Sequence, residues 1–168
     1  MQLITVNTKN ILKNSEKGFT LIELLVVIGI LAILMGIVLI AINPAAQFAQ
    51  ANNTARTNAV SQILNAIGQY EADNHGQLPT GLQVNMVATE IASTSPAGGL
   101  GDICTAIMPA YIASLPQDPG IPNSANITSC VTYDTGYKVA VDANGRITVS
   151  APSASPVRGV PVTISVQR

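Results

Sequence analysis

Residues 19–42 read FTLIELLVVIGILAILMGIVLIAI, an apolar run whose only charge is Glu23. Wound as a helix rising ~1.5 Å per residue, it covers ~36 Å, more than the roughly 30 Å of a bilayer's hydrocarbon core. The apolar region of a secretory signal peptide is shorter, about 7–15 residues, and a small-x-small cleavage site follows it. The segment Asn43-Pro44-Ala45-Ala46-Gln47 behind this run resembles such a site only weakly. The run therefore predicts a membrane-spanning helix that stays with the chain.

Its flanks predict an orientation. Lys9, Lys13 and Lys17 precede the run, with Glu16 as the single acid among them, and the next cation is Arg56. The positive-inside bias places the N-terminus in the cytoplasm and everything after Pro44 outside. Cys104 and Cys130 then fall on the oxidising side, 26 positions apart, in neither a C-x-x-C nor a common zinc spacing. A single disulfide is the natural reading, and closing a loop of that size stabilises by ~3 kcal/mol. Two buried free thiols are the alternative.

The rest of the composition narrows the class. The 168 residues suffice for one domain plus an appendage. The net charge is −1, no Lys/Arg cluster occurs after residue 17, aromatics make up 4%, and Trp is absent. Neither an electrostatic footprint nor a stacking surface for nucleic acid is present in such a sequence.

Four segments follow in order: a basic leader over 1–18, a transmembrane helix over 19–43, an amphipathic half-helix over 44–76, and a head over 77–168. In the third, Phe48, Ala55, Ala59, Ile63, Ile67 and Tyr70 recur at helical spacings, with Val60 and Leu64 widening the stripe. Asn53, Thr57, Ser61, Gln62, Asn65 and Gln69 form the opposite face. Asn74-His75-Gly76 supplies a stop. One long helix is expected, bent near Gly36 and Pro44, or restarted at Asn43-Pro44 with Pro in the first helical position.

In the head, 86–92 and 103–113 read as short helical pieces. Strands are expected over 127–133, 136–141, 146–151 and 160–166, with Asp142-Ala143-Asn144-Gly145 as a hairpin turn whose Asn-Gly suits positive φ. The fold class is α+β: a long N-terminal helix packed on a small antiparallel sheet of three or four strands.

The junction Lys17-Gly18-Phe19-Thr20-Leu21-Ile22-Glu23, running straight into the apolar block, resembles the class III signal of type IV prepilins and type II secretion pseudopilins. In that family a short basic leader ends in Gly, Phe commonly follows, and a Glu lies five residues into the mature chain. The resemblance implies cleavage by prepilin peptidase between Gly18 and Phe19, and methylation of the new Phe19 amine. It implies assembly through the helix, with Glu23 paired to that amine on its own chain or a neighbour, and a type IV pilin-like fold. The implied partners are further copies and other pilins, the peptidase, an assembly ATPase, a platform membrane protein, and the bilayer before assembly.

Physical chemistry supports the role of Glu23 independently. A carboxylate inside a membrane helix costs about 2.5–3.5 kcal/mol if central and less near an end. Pairing it with the amine released at Phe19 removes two desolvation penalties together. A Glu that merely snorkels to the interface is the alternative. Gly29 and Gly36, seven apart, permit close helix approach, although small residues are common in membrane helices generally.

Other signals point away from catalysis. His75 is the single histidine and sits beside the helix stop. Gly98-Gly99-Leu100-Gly101 does not lie between a clear strand and helix, so it is not read as a phosphate cradle. Leu115-Pro116-Gln117-Asp118-Pro119-Gly120 looks like a turn found in many pseudopilin heads, but without the Trp-Gly and calcium loop that follow it there. Asp118, Asp134 and Asp142 are spread too widely for an oxygen cage, and turn chemistry accounts for Asp118. Asn126-Ile127-Thr128 matches a glycosylation triplet that occurs often by chance. No catalytic, cofactor or metal residues are assigned, and the chain is expected to be a filament subunit, not an enzyme. A pseudopilin of a type II secretion or DNA-uptake apparatus is the alternative within the family. A non-polymerising single-pass membrane protein with a binding head is the alternative of another class.

Overall fold

The computed structural model describes residues 18–93 and 99–168. Lys9, Lys13 and Lys17, with Glu16, in the segment expected to be a leader, and Gly98 of the glycine-rich stretch lie outside the described residues. The chain divides into two compact units at the Asn43/Pro44 junction.

The first unit contains helix α1, Leu21–Ile42, 22 residues of mean hydropathy 3.3 with no buried residue. At ~1.5 Å per residue its ~33 Å matches a hydrocarbon core. Leucine, isoleucine and valine all round the helix leave no polar face for water. The helix ends at Asn43, which takes a left-handed conformation (φ 48°) ahead of Pro44. Two local preferences meet there. The residue before a proline is driven out of the helical region, and Asn enters the left-handed region more readily than most residues. The expected continuous helix is thus two helices, with Pro44 opening the second at the position where its missing N–H costs nothing.

The second unit is the head. Helix α2, Pro44–Asp73, supplies Ala59, Val60, Ile63, Leu64, Ala66 and Ile67 to the core. Asn74 N–H closes on the Tyr70 carbonyl and Gly76 N–H on that of Glu71, with His75 at φ 56° and Gly76 at φ 82°. The helix stop falls where the sequence places it.

Four strands follow as an antiparallel sheet in the order β1-β2-β3-β4: β1 Met86–Ala92, β2 Asp134–Val141, β3 Ile147–Ala151 and β4 Ile164–Gln167. Strand β2 buries every second residue, with Tyr137, Val139 and Val141 on the helix side, and β3 does the same with Ile147, Val149 and Ala151. This two-residue period lays one face of the sheet on α2. The single-turn helix α3, Cys104–Ile107, closes the core at one side.

Several expectations in the head are corrected. Residues 86–92 form β1, not a helical piece. Met, Ala and Glu favour helices in isolation, but pairing with β2, with two register irregularities, outweighs that weak propensity. The 103–113 piece reduces to α3, which stops before Pro109, a residue that cannot donate into a further turn. The 127–133 strand is absent. Only Ile127 bridges, to Leu115, while Cys130 is held by Cys104 and Val131 is left 86% exposed. The last strand begins at Ile164, because Val157 and Val160 close their own two-residue turn at Arg158-Gly159, both with positive φ. In the β2–β3 turn Gly145 takes positive φ (80°) and Asn144 does not. There the Asp142 carboxylate accepts from the backbone N–H groups of Asn144 and Arg146.

One glycine in the connection between β1 and α3 is required by packing. Gly101 (φ 86°) donates its N–H to the Gly81 carbonyl at 2.8 Å, and a Cβ on it would run into the Glu90 carbonyl oxygen of β1. Gly101→Ala is therefore expected to destabilise the head by about 2–4 kcal/mol, combining left-handed strain with overpacking against backbone. A denaturant midpoint equal to wild type would contradict this.

Candidate functional site

The junction is built by a cap. Gly18, Phe19 and Thr20 precede the helix, outside regular structure and exposed. Thr20 is the N-cap of α1, and Glu23 stands at the third helical position. Glu23 N–H donates to Thr20 Oγ1 at 3.3 Å, while Glu23 Oε2 accepts from both Thr20 N–H and Thr20 Oγ1 at 2.8 Å. This capping box satisfies backbone donors that the helix start leaves free, and it sets an acid at the positive end of the helix dipole. The carboxylate, four residues beyond Phe19, thus has local partners. Thr20 was not singled out from the sequence, although the Thr-x-x-Glu pattern carries the signal. The Gly18–Phe19 bond lies outside the first turn.

Cys104 and Cys130 form a disulfide with their Cα atoms 5.5 Å apart. Cys104 is fully buried on α3, so the bond ties the irregular stretch around Cys130 to the core.

A second polar centre lies inside the head. Arg56, 2% exposed, and Asp118, 1% exposed, form a two-pronged ion pair, with Nε to Oδ2 at 2.8 Å and Nη2 to Oδ1 at 2.9 Å. Arg56 Nη1 also donates to Asn53 Oδ1 at 3.0 Å and Ser155 Oγ at 3.3 Å. Asn53 and Ser155 exchange a further pair of hydrogen bonds, so α2 is joined to the chain before β4. Asp118 Oδ1 accepts from Gly120 N–H at 2.7 Å, the expected turn bond, and Asp118 N–H donates to the Thr135 carbonyl. Gly136 (φ 73°) makes room for the pair, since a Cβ there would stand 2.9 Å from Asp118 Cβ. The hydrogen bonds to Asp118 hold the Arg56 pKa above its usual value.

This centre corrects the sequence reading. Asp118 is more than a turn residue, and Asn53 is buried rather than on the solvent face. Phe48 and Ala55, placed on the buried stripe, are exposed. Around Asn53 and Arg56, α2 meets the head through hydrogen bonds. A cation surrounded by Ala, Asn and Thr gives no local sign that its partner lies 62 residues away.

Tyr137, fully buried next to the pair, has a hydroxyl with no hydrogen-bond partner among the described residues. Burial first, and the Asp118 charge second, push its pKa up to about 12. The unfolded chain releases this proton near pH ~10. The stability tied to the neutral phenol is fully present below that pH and is lost as pH rises through about 12. Tyr137→Phe removes the ionisation and no hydrogen bond. It is expected to leave stability near pH 7 almost unchanged and to flatten the alkaline loss, read as urea midpoints at pH 7 and 11. An unchanged alkaline loss would contradict it.

Among the described residues no group of three or more His, Cys, Asp or Glu is placed to hold a metal ion. Asp118 is engaged by Arg56, Asp134 accepts from Gly136 N–H, and Asp142 pairs with Arg146.

No curated protein and no solved structure matches the chain. A family model described as the prokaryotic N-terminal methylation motif matches residues 13–39, the end of the segment before α1 and most of α1. The apolar helix and the motif together point to membrane insertion and to a structural protein. With the Gly18-Phe19 junction, the capped acid at Glu23 and the apolar α1, this match shows that the chain carries the N-terminal methylation motif of type IV pilin and pseudopilin precursors.

Proposed function

We propose that the chain is the structural subunit of a type IV pilus-like filament. It enters the cytoplasmic membrane as a single-pass precursor with residues 1–18 in the cytoplasm and the head outside. Prepilin peptidase cuts after Gly18 and the Phe19 amine is methylated. An assembly ATPase and a platform membrane protein then drive the copies into a filament, mature and outside the cytoplasm. The α1 helices bundle at its centre, where the Glu23 carboxylate meets the Phe19 amine of its own chain or a neighbour and marks the register of otherwise featureless apolar helices.

The observation that carries this reading is the motif match across residues 13–39, whose acid sits in the first turn of an unburied apolar helix. Mass spectrometry of the protein isolated from cells tests it. The expected amino-terminal residue is N-methylated Phe19, and a chain starting at Met1 or near Ala46 would overturn the proposal. A pseudopilin of a secretion or DNA-uptake apparatus is the second reading, favoured by the Leu115-Pro116-Gln117-Asp118-Pro119 turn. Long surface filaments in electron micrographs favour the pilus, and their absence alongside a methylated Phe19 favours the pseudopilus.

A further inference from the structure

We propose that in the filament Phe48 of one copy seats in a groove on the head of the next, so that copies join knob-into-groove along the first turns of α2. This rests on the filament reading above and names the contact that would link neighbouring heads.

Phe48 is 71% exposed, and it is the only aromatic side chain of the exposed class among the described residues of the head. A phenyl ring left in water forgoes the stabilisation that burying it supplies, and such anchors are enriched at the centres of interfaces. On the same stretch of α2 lies a cleft of about 460 Å³. Ala46, Val157, Val162 and Ile164 give it an apolar part, Gln50 and Thr54 form an uncharged wall, and Arg158 is the one charged residue lining it. An apolar ring can enter without stripping water from a buried ion.

The two features lie on opposite sides of one helix. Each residue turns the helix by ~100°, so Phe48 and Gln50, two positions apart, point about 200° from each other. A knob and a hole on opposite faces of one molecule cannot satisfy each other within a closed two-fold dimer. They make a heterologous contact, which propagates into an open filament when the rotation does not close. A second copy is therefore the occupant this geometry favours over a free ligand. The position agrees, because α2 begins one residue after α1 ends. Neighbouring residues Ala45, Ala49, Ala51 and Ala55 are small and uncharged, which lets another head approach closely.

The test uses the full chain in cells that assemble it, with Phe48→Cys and Val157→Cys combined and a short bismaleimide added to intact cells. The expected result is a ladder of dimers, trimers and higher species that neither single variant produces. Phe48→Ala is expected to reduce filament yield about tenfold or more, at an unchanged level of processed protein in the membrane. Cross-linking that stops at dimers would overturn the inference, since it reports a closed contact. So would the absence of cross-links in cells whose wild-type chain forms filaments, leaving the filament reading intact. A Phe48→Ala protein lost from the membrane, with no cross-link in the double variant, would assign Phe48 to the lipid surface and overturn it as well. A wild-type chain that is processed but never found in filaments would defeat the filament reading itself.

Discussion

Arg56→Ala is expected to cost the head about 3–5 kcal/mol, a large share of the stability of an ordinary domain. The substitution leaves the Asp118 carboxylate 1% exposed with its two-pronged partner gone. A buried unpaired charge is then relieved only by protonation or by local opening. Asn53 and Ser155 lose their bonds to the guanidinium at the same time, loosening the tie between α2 and the chain before β4. Arg56→Lys is expected to recover little, because a point-like ammonium cannot make the fork of bonds at 2.8 and 2.9 Å. The double replacement Arg56→Met with Asp118→Leu is expected to fall closer to wild type than either single change, since it removes both desolvation penalties. Urea midpoints of the detergent-solubilised protein decide the matter. A loss below about 1 kcal/mol for Arg56→Ala would mean that the pair behaves like a surface salt bridge.

Gly18→Leu is expected to leave uncut precursor in the membrane, with no mature chain starting at Phe19 and no filaments. The structure separates this effect from folding. A Cβ at Gly18 meets nothing within 4 Å. The residue also lies ahead of the Thr20 cap, so the precursor's own fold makes no demand for glycine there. Any requirement comes from the enzyme that must hold the scissile segment extended, where glycine brings neither a Cβ clash nor a helix preference. The precursor's level and membrane location should therefore match wild type while its processing fails. Recovery of normal amounts of chain beginning at Phe19 from this variant would refute the assignment.

The parts of this molecule legible in the sequence are those encoded by contiguous residues. The apolar run becomes α1, Asn74-His75-Gly76 ends α2, and the two-residue alternation of β2 and β3 shows which side meets the helix. The Thr20–Glu23 capping box is equally local, because its bonds span three positions in a Thr-x-x-Glu pattern, although the sequence reading pairs the acid with the Phe19 amine instead. What misled was local resemblance without its partner. Residues 86–92 carry helix-forming types, yet their hydrogen bonds go to β2, more than forty positions away. Residues 127–133 alternate like a strand, yet only Ile127 among them bridges, to Leu115, and Cys130 is bound to Cys104.

By itself, then, the sequence determined the outline of the chain: an apolar helix of membrane length, a Gly-Phe junction before it, an acid in its first turn and a small antiparallel head. Each follows from residues adjacent along the backbone, where hydropathy, cap geometry and turn preference act without reference to the rest of the fold. Only the tertiary structure decided that Arg56 and Asp118 lie buried together, that Asn53 faces inward while Phe48 faces out, and that β1 is a strand. Those outcomes depend on which distant segments meet. A charge becomes structural only when a partner 62 residues away removes it from water alongside itself.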